Sequence, residues 1–358
     1  MKVYSYIILF LIFSFNFFSS IAQKLEKGVN YQIAVVAFWN VENLYDTIND
    51  PKKIDEEFLP NGTNLWNTPR YLKKLDHLSE VIKQLGEEYT PDGPAVIGMC
   101  EIENINVLKD LAKQPKIANR NYQPILIEGP DARGVDPALM YNPKYFKPEK
   151  WLSYPVTVVT DPEHKTRDIL VVYGKLLGEP FAFLVNHWPS RRGGEEVSRP
   201  NRISAAKVVR HIADSIIKVN GDIKIMIMGD YNDDPINESI KKYIGTYDDI
   251  KRTRDDEFFN PMEKLHKKGF GTLAYQDQWN LFDQILLNKP LLPTDYSTLQ
   301  YLNVKIFNKP FVRNDFGNFK GYPFRTIVGG NYQGGYSDHF SVYVVLARAI
   351  KNQNQKKD

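Results

Sequence analysis

Six times along this chain a short run of apolar, β-branched or aromatic residues stops abruptly at a group able to bind a metal ion or a phosphate. "IAVVAFWNVEN" reaches Asn40 and Glu42, "AVIGMCEIEN" reaches Glu101, and "FAFLVNHW" reaches His187. "IKIMIMGDYNDDP" ends on Asp230 and Asn232, "LFDQILL" surrounds Asp283, and "GGYSDHFSVYVVL" opens with Asp338 and His339. Runs of this length and composition read as buried strands. Between them lie helical patterns. In "RYLKKLDHLSEVIKQL" the spacing puts Leu72, Leu75, Leu78, Ile82 and Leu85 on one face, and in "NRISAAKVVRHIADSIIKV" it does the same for Ile203, Val209, Ile212 and Ile216. Helices and strands alternate over the first two thirds and strands dominate later, so the chain is of the α/β class.

The opening "MKVYSYIILFLIFSFNFFSSIAQK" has one early Lys, an apolar stretch to Phe18, and small residues at Ser20 and Ala22. This reads as a secretory signal over residues 1–22, cleaved before Gln23, because the apolar core is short of the roughly 20 residues that a membrane span needs. A lipid anchor would need a Cys at the new N-terminus, and the only Cys is Cys100. The expectation is an exported protein, periplasmic or extracellular, with no stable membrane anchor. A lone Cys forms no internal disulfide, so a core drawn from 42% hydrophobic residues must hold the fold. No linker, repeat or low-complexity tract divides the chain. Residues 23–350 are therefore expected to form one domain, monomeric, followed by a polar tail at 351–358. The net charge of +3 falls to +2 once Lys2 is removed, so any footprint for a polyanion must be local.

Two clusters carry the chemistry. "GDYNDDP" sets three carboxylates and an Asn against a strand with no charge after Lys224, and Asn232 shares a side with Asp230 if the strand continues. A turn leading to Pro235 explains the Asn and the Pro but not a carboxylate so close to a buried run. In "SDHF" an Asp precedes a His that it could orient. Several carboxylates, two Asn and two His, without a G-x-S-x-G elbow, fit an oxygen-ligated hard cation and attack by water rather than a covalent serine mechanism. "NHWPSRRGG" adds Arg191 and Arg192 beside His187, either as a solvated turn or as an anion-binding rim.

The ordered set "WNVEN … CEIEN … NHWPSR … GDYND … FDQILL … SDHF" resembles the endonuclease/exonuclease/phosphatase superfamily, from about Ala34 to Val345. Its members include DNase I-like nucleases, abasic-site endonucleases, inositol-polyphosphate phosphatases and bacterial sphingomyelinases. The resemblance implies a four-layered α/β sandwich, with two central mixed β-sheets flanked by helices and the catalytic residues at one rim. It implies a metal site at Asn40 and Glu101, with Glu101 the principal ligand of Mg²⁺ and Mn²⁺ as an alternative ion. Asp230 would orient or deprotonate the attacking water, and Asn232 would hold the scissile phosphate. His187 and His339 would donate to phosphate oxygens, with Asp283 supporting His187. Asp338 would orient His339 or join the metal site. Arg133, in "DARGVDPALMY" with Asp136, matches a segment that in relatives often carries a substrate-facing Arg.

The leading functional expectation is a metal-dependent nuclease whose substrate is nucleic acid. Arg191, Arg192, Arg199 and Arg202 would grip several phosphates, although Glu195 and Glu196 interrupt the patch. The rival is a phosphoesterase acting on lipid headgroups or inositol phosphates, weakened by "DQWNLFDQILL" standing where inositol phosphatases carry a "PAWCDR"-like segment. A third reading is a catalytically dead binding module, against which stands the retention of every expected polar position.

Overall fold

The computed structural model describes residues 25–26 and 28–350. The expected signal segment and the 351–358 tail lie outside the described residues. The strands are β1 (Tyr31–Leu44), β2 (Val96–Ile102), β3 (Gln123–Leu126), β4 (Asp136–Tyr141), β5 (Phe146–Tyr154), β6 (Ile169–Leu176), β7 (Glu179–His187), β8 (Lys224–Asp230), β9 (Thr246–Tyr247), β10 (Phe258–Phe259), β11 (Leu273–Tyr275), β12 (Gln278–Asn280), β13 (Asp283–Asn288), β14 (Gln300–Ile306), β15 (Ile327–Val328), β16 (Asn331–Tyr332) and β17 (Val342–Ala349). The α-helices are α1 (Thr68–Gln84), α2 (Ile105–Ala112), α3 (Glu195–Val219) and α4 (Met262–His266). One sheet runs β14-β17-β1-β2-β4-β3 and the other β5-β6-β7-β8-β13-β10-β9, while β11-β12 and β15-β16 are separate hairpins. Each large sheet is mixed: β1 and β2 are parallel, as are β7 and β8, and antiparallel neighbours flank both pairs.

The strands read as continuous apolar runs because both of their faces are covered. Along β1, Ala34, Val36 and Phe38 enter the core between the sheets, where they meet Phe181, Phe183, Met226 and Met228. The alternate residues Val35, Ala37 and Trp39 pack outward against Leu75, Leu78 and Ile82 of α1. On the second sheet Ala182, Leu184, Ile225 and Ile227 pack outward against Ala205, Val209, Ile212 and Ile216 of α3. The layers are therefore helix, sheet, sheet, helix, the four-layered sandwich implied by the motifs. Gly98 has no room for a side chain where it faces the other sheet, since a Cβ there would lie 2.4 Å from Met228 Sδ.

The helix reading needs one correction. Leu72 of α1 is exposed, and the buried stripe runs through Tyr71, Lys74, Leu75, Leu78, Val81 and Ile82. The stripe starts one residue earlier than the leucines alone suggest, because a lysine lies within it.

Candidate active site

The side chains that end the strands meet because of strand parity. Alternation places Asn40, His187, Asp230 and Asp283 on the same face as the inter-sheet residues Phe38, Val185, Met228 and Ile285. They fall at the rim because β1, β7 and β8 run to the same end of the sandwich. The register fixes them side by side: His187 is paired with Asp230 across the parallel β7-β8 ladder, and Asp230 with Asp283 across the antiparallel β8-β13 ladder.

Glu101 has the opposite parity, and simple continuation of β2 would point it outward. A one-residue bulge intervenes, for Met99 pairs with Ala138 while Ile102 pairs with Asp136. Glu101 takes φ 64°, and Glu42 and Asn43 each take φ 53° in the matching irregularity of β1. Asn232 follows β8 at φ 50°. Left-handed backbone at four non-glycine residues around one rim is held against its intrinsic cost by the surrounding contacts, a pattern typical of functional sites. Asn43 N–H donates to Glu101 Oε2 at 2.8 Å, which fixes the carboxylate's new direction.

Asn40 joins the two strand systems. Its Nδ2 donates to Glu101 Oε1 at 3.1 Å and to Asp230 Oδ2 at 3.0 Å, while its Oδ1 accepts from Glu42 N–H at 3.0 Å. In this arrangement Asn40 presents its NH₂ to the two carboxylates and bridges Glu101 and Asp230. Asp230 Oδ1 accepts from Asn232 N–H at 2.9 Å. Burial pushes the Asp230 carboxyl up to about 6, and neighbouring Asp283 adds to this while His339 opposes it.

His339 Nδ1 donates to Asp283 Oδ2 at 2.6 Å, leaving Nε2 3.9 Å from both Asp230 Oδ2 and Asp338 Oδ1. Burial alone would lower the imidazole pKa, but the carboxylates of Asp283, Asp338 and Asp230 outweigh it and raise it well above the ordinary value. The three carboxylates thus favour the charged form of His339, whose Nε2 faces the rim. His187 is the reverse: burial, reinforced by Arg167, Arg133 and His339, lowers its pKa well below the ordinary value, and its Nε2 lies 3.7 Å from Asp230 Oδ2 and 3.9 Å from Glu101 Oε1. The expected pairing of Asp283 with His187 is therefore corrected. The β8-β13 register brings Asp283 to the loop after β16, where His339 enters, and His187 Nδ1 has no hydrogen-bond partner among the described residues. That loop is fastened to β1: Ser337 Oγ donates to Asn40 O at 2.7 Å and Trp39 Nε1 to His339 O at 2.9 Å.

Asp338 carries Oδ2 3.0 Å from Arg325 Nη2, so it does not orient His339, a role that Asp283 fills. Asn232 does not continue β8 on the side of Asp230, because the strand ends and the left-handed turn sends its Nδ2 to Trp188 O at 3.1 Å. Arg133 is half-exposed, 3.5 Å from Asp131 Oδ1, and near enough to Glu101 for the carboxylate to raise its pKa.

The arginine rim changes most. Arg191 bonds Asn232 O at 2.8 Å and Glu195 Oε2 at 2.7 Å, lies 3.3 Å from Asp233 and 3.5 Å from Asp234, and covers the Phe282 ring. Arg202 is fully buried with Nε 2.7 Å from Asp233 Oδ1, and Arg199 pairs with Glu196. Of the four expected phosphate donors only Arg192 is both exposed and unpaired. The acidic residues that seemed to interrupt the patch, Glu195 and Glu196, are instead its partners. Arg191→Ala is accordingly expected to cost about 1 kcal/mol of stability, since it removes the contacts to Asn232 O and Glu195 while Asp233 keeps Arg202 and Ser239 and Asp234 keeps Leu281 N–H, with little effect on the salt dependence of substrate binding. Chemical denaturation together with binding across a salt series checks both halves.

Four site residues were missed. Arg325 holds Glu42 at 3.2 Å as well as Asp338, and Arg167 donates to Trp188 O at 2.7 Å and to Asp131 Oδ2 at 3.2 Å. Lys74 crosses from α1 to donate to Tyr336 O at 2.8 Å, and burial brings its ammonium down to about 8. Asp131 anchors both Arg133 and Arg167. Only Lys74 left a signal, as the lysine inside the helix stripe.

A sandwich of two mixed sheets between helices, with carboxylates and two imidazoles gathered at one rim, defines a DNase I-like α/β sandwich with a hydrolytic type of centre. Residues 35–348 match the Endonuclease/Exonuclease/phosphatase family, and the chain belongs to it. Members of this family are hydrolases. Among solved structures the chain is similar to D. rerio TDP2 complexed with a single-strand DNA product, at 14% identity and a TM-score of 0.52, covering 88% of this chain and 98% of that one. It is also similar to the human Nocturnin catalytic domain with bound sulfate, at 15% identity and a TM-score of 0.53, covering 89% and 97%. A third is Bacteroides thetaiotaomicron mannosyl-6-phosphatase, at 15% identity and a TM-score of 0.52, covering 87% and 99%. At these identities the likeness is one of fold. No curated protein matches the chain.

Proposed function

We propose that this protein is a metal-dependent phosphoester hydrolase in which Asp230 activates water against a phosphate held by His339. The observation that carries the reading is the geometry around Asp230: His187 Nε2 lies 3.7 Å and His339 Nε2 3.9 Å from Asp230 Oδ2, with His339 anchored by Asp283 on its other nitrogen, and burial pushes the Asp230 carboxyl up to about 6. An in-line displacement builds charge on the equatorial and leaving oxygens, and preorganised donors stabilise it. The His339 imidazolium supplies such a donor, and Arg325 and Arg133 add positive charge at the rim.

The donor set fits a hard cation. Glu101 and Asp338 offer carboxylate oxygens at the rim, and Asp338 Oδ1 is buried with no hydrogen-bond partner. A second grouping, Cys100, His187 and Asp230, also brings ligand atoms together, within 4.8 Å. Burial and the adjacent carboxylates raise the Cys100 thiol pKa well above its usual value, and a hard cation prefers carboxylate oxygens to sulfur, which favours the oxygen set. A divalent ion held by Glu101 and Asp338, with Mg²⁺ or Mn²⁺ suited to such ligands, would neutralise charge on the transferred phosphoryl group. Hydrolysis is expected to fall at least about 100-fold in excess chelator and to return with Mg²⁺ or Mn²⁺, as assayed on a panel of phosphomonoesters, DNA, RNA, sphingomyelin and inositol phosphates. Full turnover by stripped protein would overturn the metal reading.

For substrate, the engagement of Arg191, Arg199 and Arg202 removes the polyanion grip and favours a small phosphoester. Nucleic acid is the second reading, supported by the exposed Arg192 and Arg133 and by the DNA product bound in the TDP2 neighbour.

A further inference from the structure

Below the carboxylates of the rim, the face between the two sheets carries a sulfur. Cys100 is fully buried and belongs to the inter-sheet core with Phe38, Val185 and Met228. A buried free thiol ordinarily serves in such a place as a small apolar side chain. Cys100 differs in its neighbours. The β1-β2 ladder sets it beside Asn40, and Asn40 reaches across to Asp230 in the other sheet. One ligand atom each from Cys100, His187 and Asp230 lie within 4.8 Å of one another. His187 is 6% exposed, and its Nδ1 is buried without a hydrogen-bond partner among the described residues. Its Nε2 stands 3.7 Å from Asp230 Oδ2, beyond hydrogen-bond length. A polar group buried this deeply ordinarily has a partner, so an imidazole with a nitrogen to give, beside a thiol and a carboxylate, points to a ligand.

From this we infer that Cys100, His187 and Asp230 form an inhibitory site for a borderline-soft cation of the zinc type, different in donor chemistry from the oxygen set of Glu101 and Asp338. Sulfur, imidazole nitrogen and a carboxylate oxygen are the donors that Zn²⁺ takes in tetrahedral coordination, whereas Mg²⁺ takes oxygen. A fourth donor is close, since Glu101 Oε1 lies 3.9 Å from His187 Nε2. On binding, a Zn–S bond forms as the thiol S–H breaks and the proton passes to water, because coordination deprotonates a thiol outright. No electrons are transferred. Inhibition follows from what the ion takes up: Asp230, the group assigned to activate water, and His187 beside it. Excess Mg²⁺ does not relieve the inhibition, because a hard cation competes poorly for sulfur.

The inhibitory half of this inference rests on the phosphoester-hydrolase reading and the binding half does not, so the two are read separately. Metal-stripped full-length protein is first titrated with Co²⁺, a spectroscopic stand-in for Zn²⁺. A thiolate-to-cobalt charge-transfer band should grow in the near ultraviolet until the protein is stoichiometrically loaded, vanish on adding Zn²⁺ and persist in excess Mg²⁺. Cys100→Ala and Cys100→Ser should both lack the band. The serine variant is nearly isosteric and serves should the alanine variant fold poorly, and the displacement by Zn²⁺ needs no variant at all. Zinc inhibition is then measured at saturating Mg²⁺ on a phosphoester that the protein hydrolyses. Loss of an outer hydrogen-bond partner alone costs about 10- to 100-fold in metal affinity, so loss of the sulfur ligand should raise the Zn²⁺ needed for half-inhibition at least about 100-fold. The rate without zinc should be unchanged. Absence of the band from the wild-type protein would overturn the site. So would zinc inhibition equal in wild type and both Cys100 variants, which would place the ion on oxygen ligands alone. A band that behaves as expected in a protein that hydrolyses no phosphoester would uphold the cation site and overturn the broader reading instead.

Discussion

Asp230→Asn is expected to lower kcat by about 10³-fold while KM for a phosphoester moves by less than about threefold, the signature of a group that acts on the reaction and not on ground-state binding. The substitution is close to isosteric. Asp230 is buried, accepts from Asn232 N–H on one oxygen and from Asn40 Nδ2 on the other, and faces His187 Nε2 at 3.7 Å. An amide can keep the first contact with its oxygen, but it cannot take a proton from water. Steady-state kinetics on a folded variant, checked by circular dichroism, measure the effect. Turnover within tenfold of wild type would remove Asp230 from the role of base. A proportionate rise in KM would make it a binding group instead.

Much of this centre was legible before any coordinates. A strand buried on both faces cannot carry a charge within it, so the first polar residue after an apolar run marks where the strand reaches the rim. Parity then decides which side of the sheet that residue takes, and Asn40, His187, Asp230 and Asp283 obey it. Glu101 does not, and its entry into the site depends on a bulge that a single sequence does not announce. The partnerships were less readable still. Asp283 could serve either histidine by its position in the chain, and the β8-β13 register assigns it to His339. Arg191 and Arg202 read as solvated or substrate-facing because a basic turn beside a candidate histidine looks the same whether its partners are phosphates or carboxylates. Glu195, which claims Arg191, lies only four residues on, but Asp233, which reaches both arginines, lies on a segment brought in by tertiary packing. Lys74 and Arg325 were missed for a similar reason, since a charged residue on a helix or loop is ordinarily solvated and only the fold shows what it reaches.

Asp283→Asn tests the charge on His339. With the carboxylate in place, burial lowers the imidazole pKa but Asp283, Asp338 and Asp230 raise it further, so the ring stays protonated through neutral pH. Activity that depends on the imidazolium should then be lost on the alkaline side, as pH rises through the elevated pKa. Asparagine keeps an oxygen to accept from Nδ1 but removes the nearest negative charge. The alkaline limb is therefore expected to move to lower pH, and kcat at neutral pH to fall by about 10²-fold or more. Stability has the same sign. A histidine whose folded pKa lies above its unfolded value of about 6.5 stabilises the fold fully below that pH and loses the contribution as pH rises through the folded value. The wild-type protein should thus lose stability across that window and the Asn variant should lose less. Matched pH-rate profiles and denaturation curves for the two proteins give both readouts. An alkaline limb that stays in place would show that His339 is not the group whose charge the reaction uses. A limb that moves while the stability difference stays flat would assign the titration to a residue other than His339.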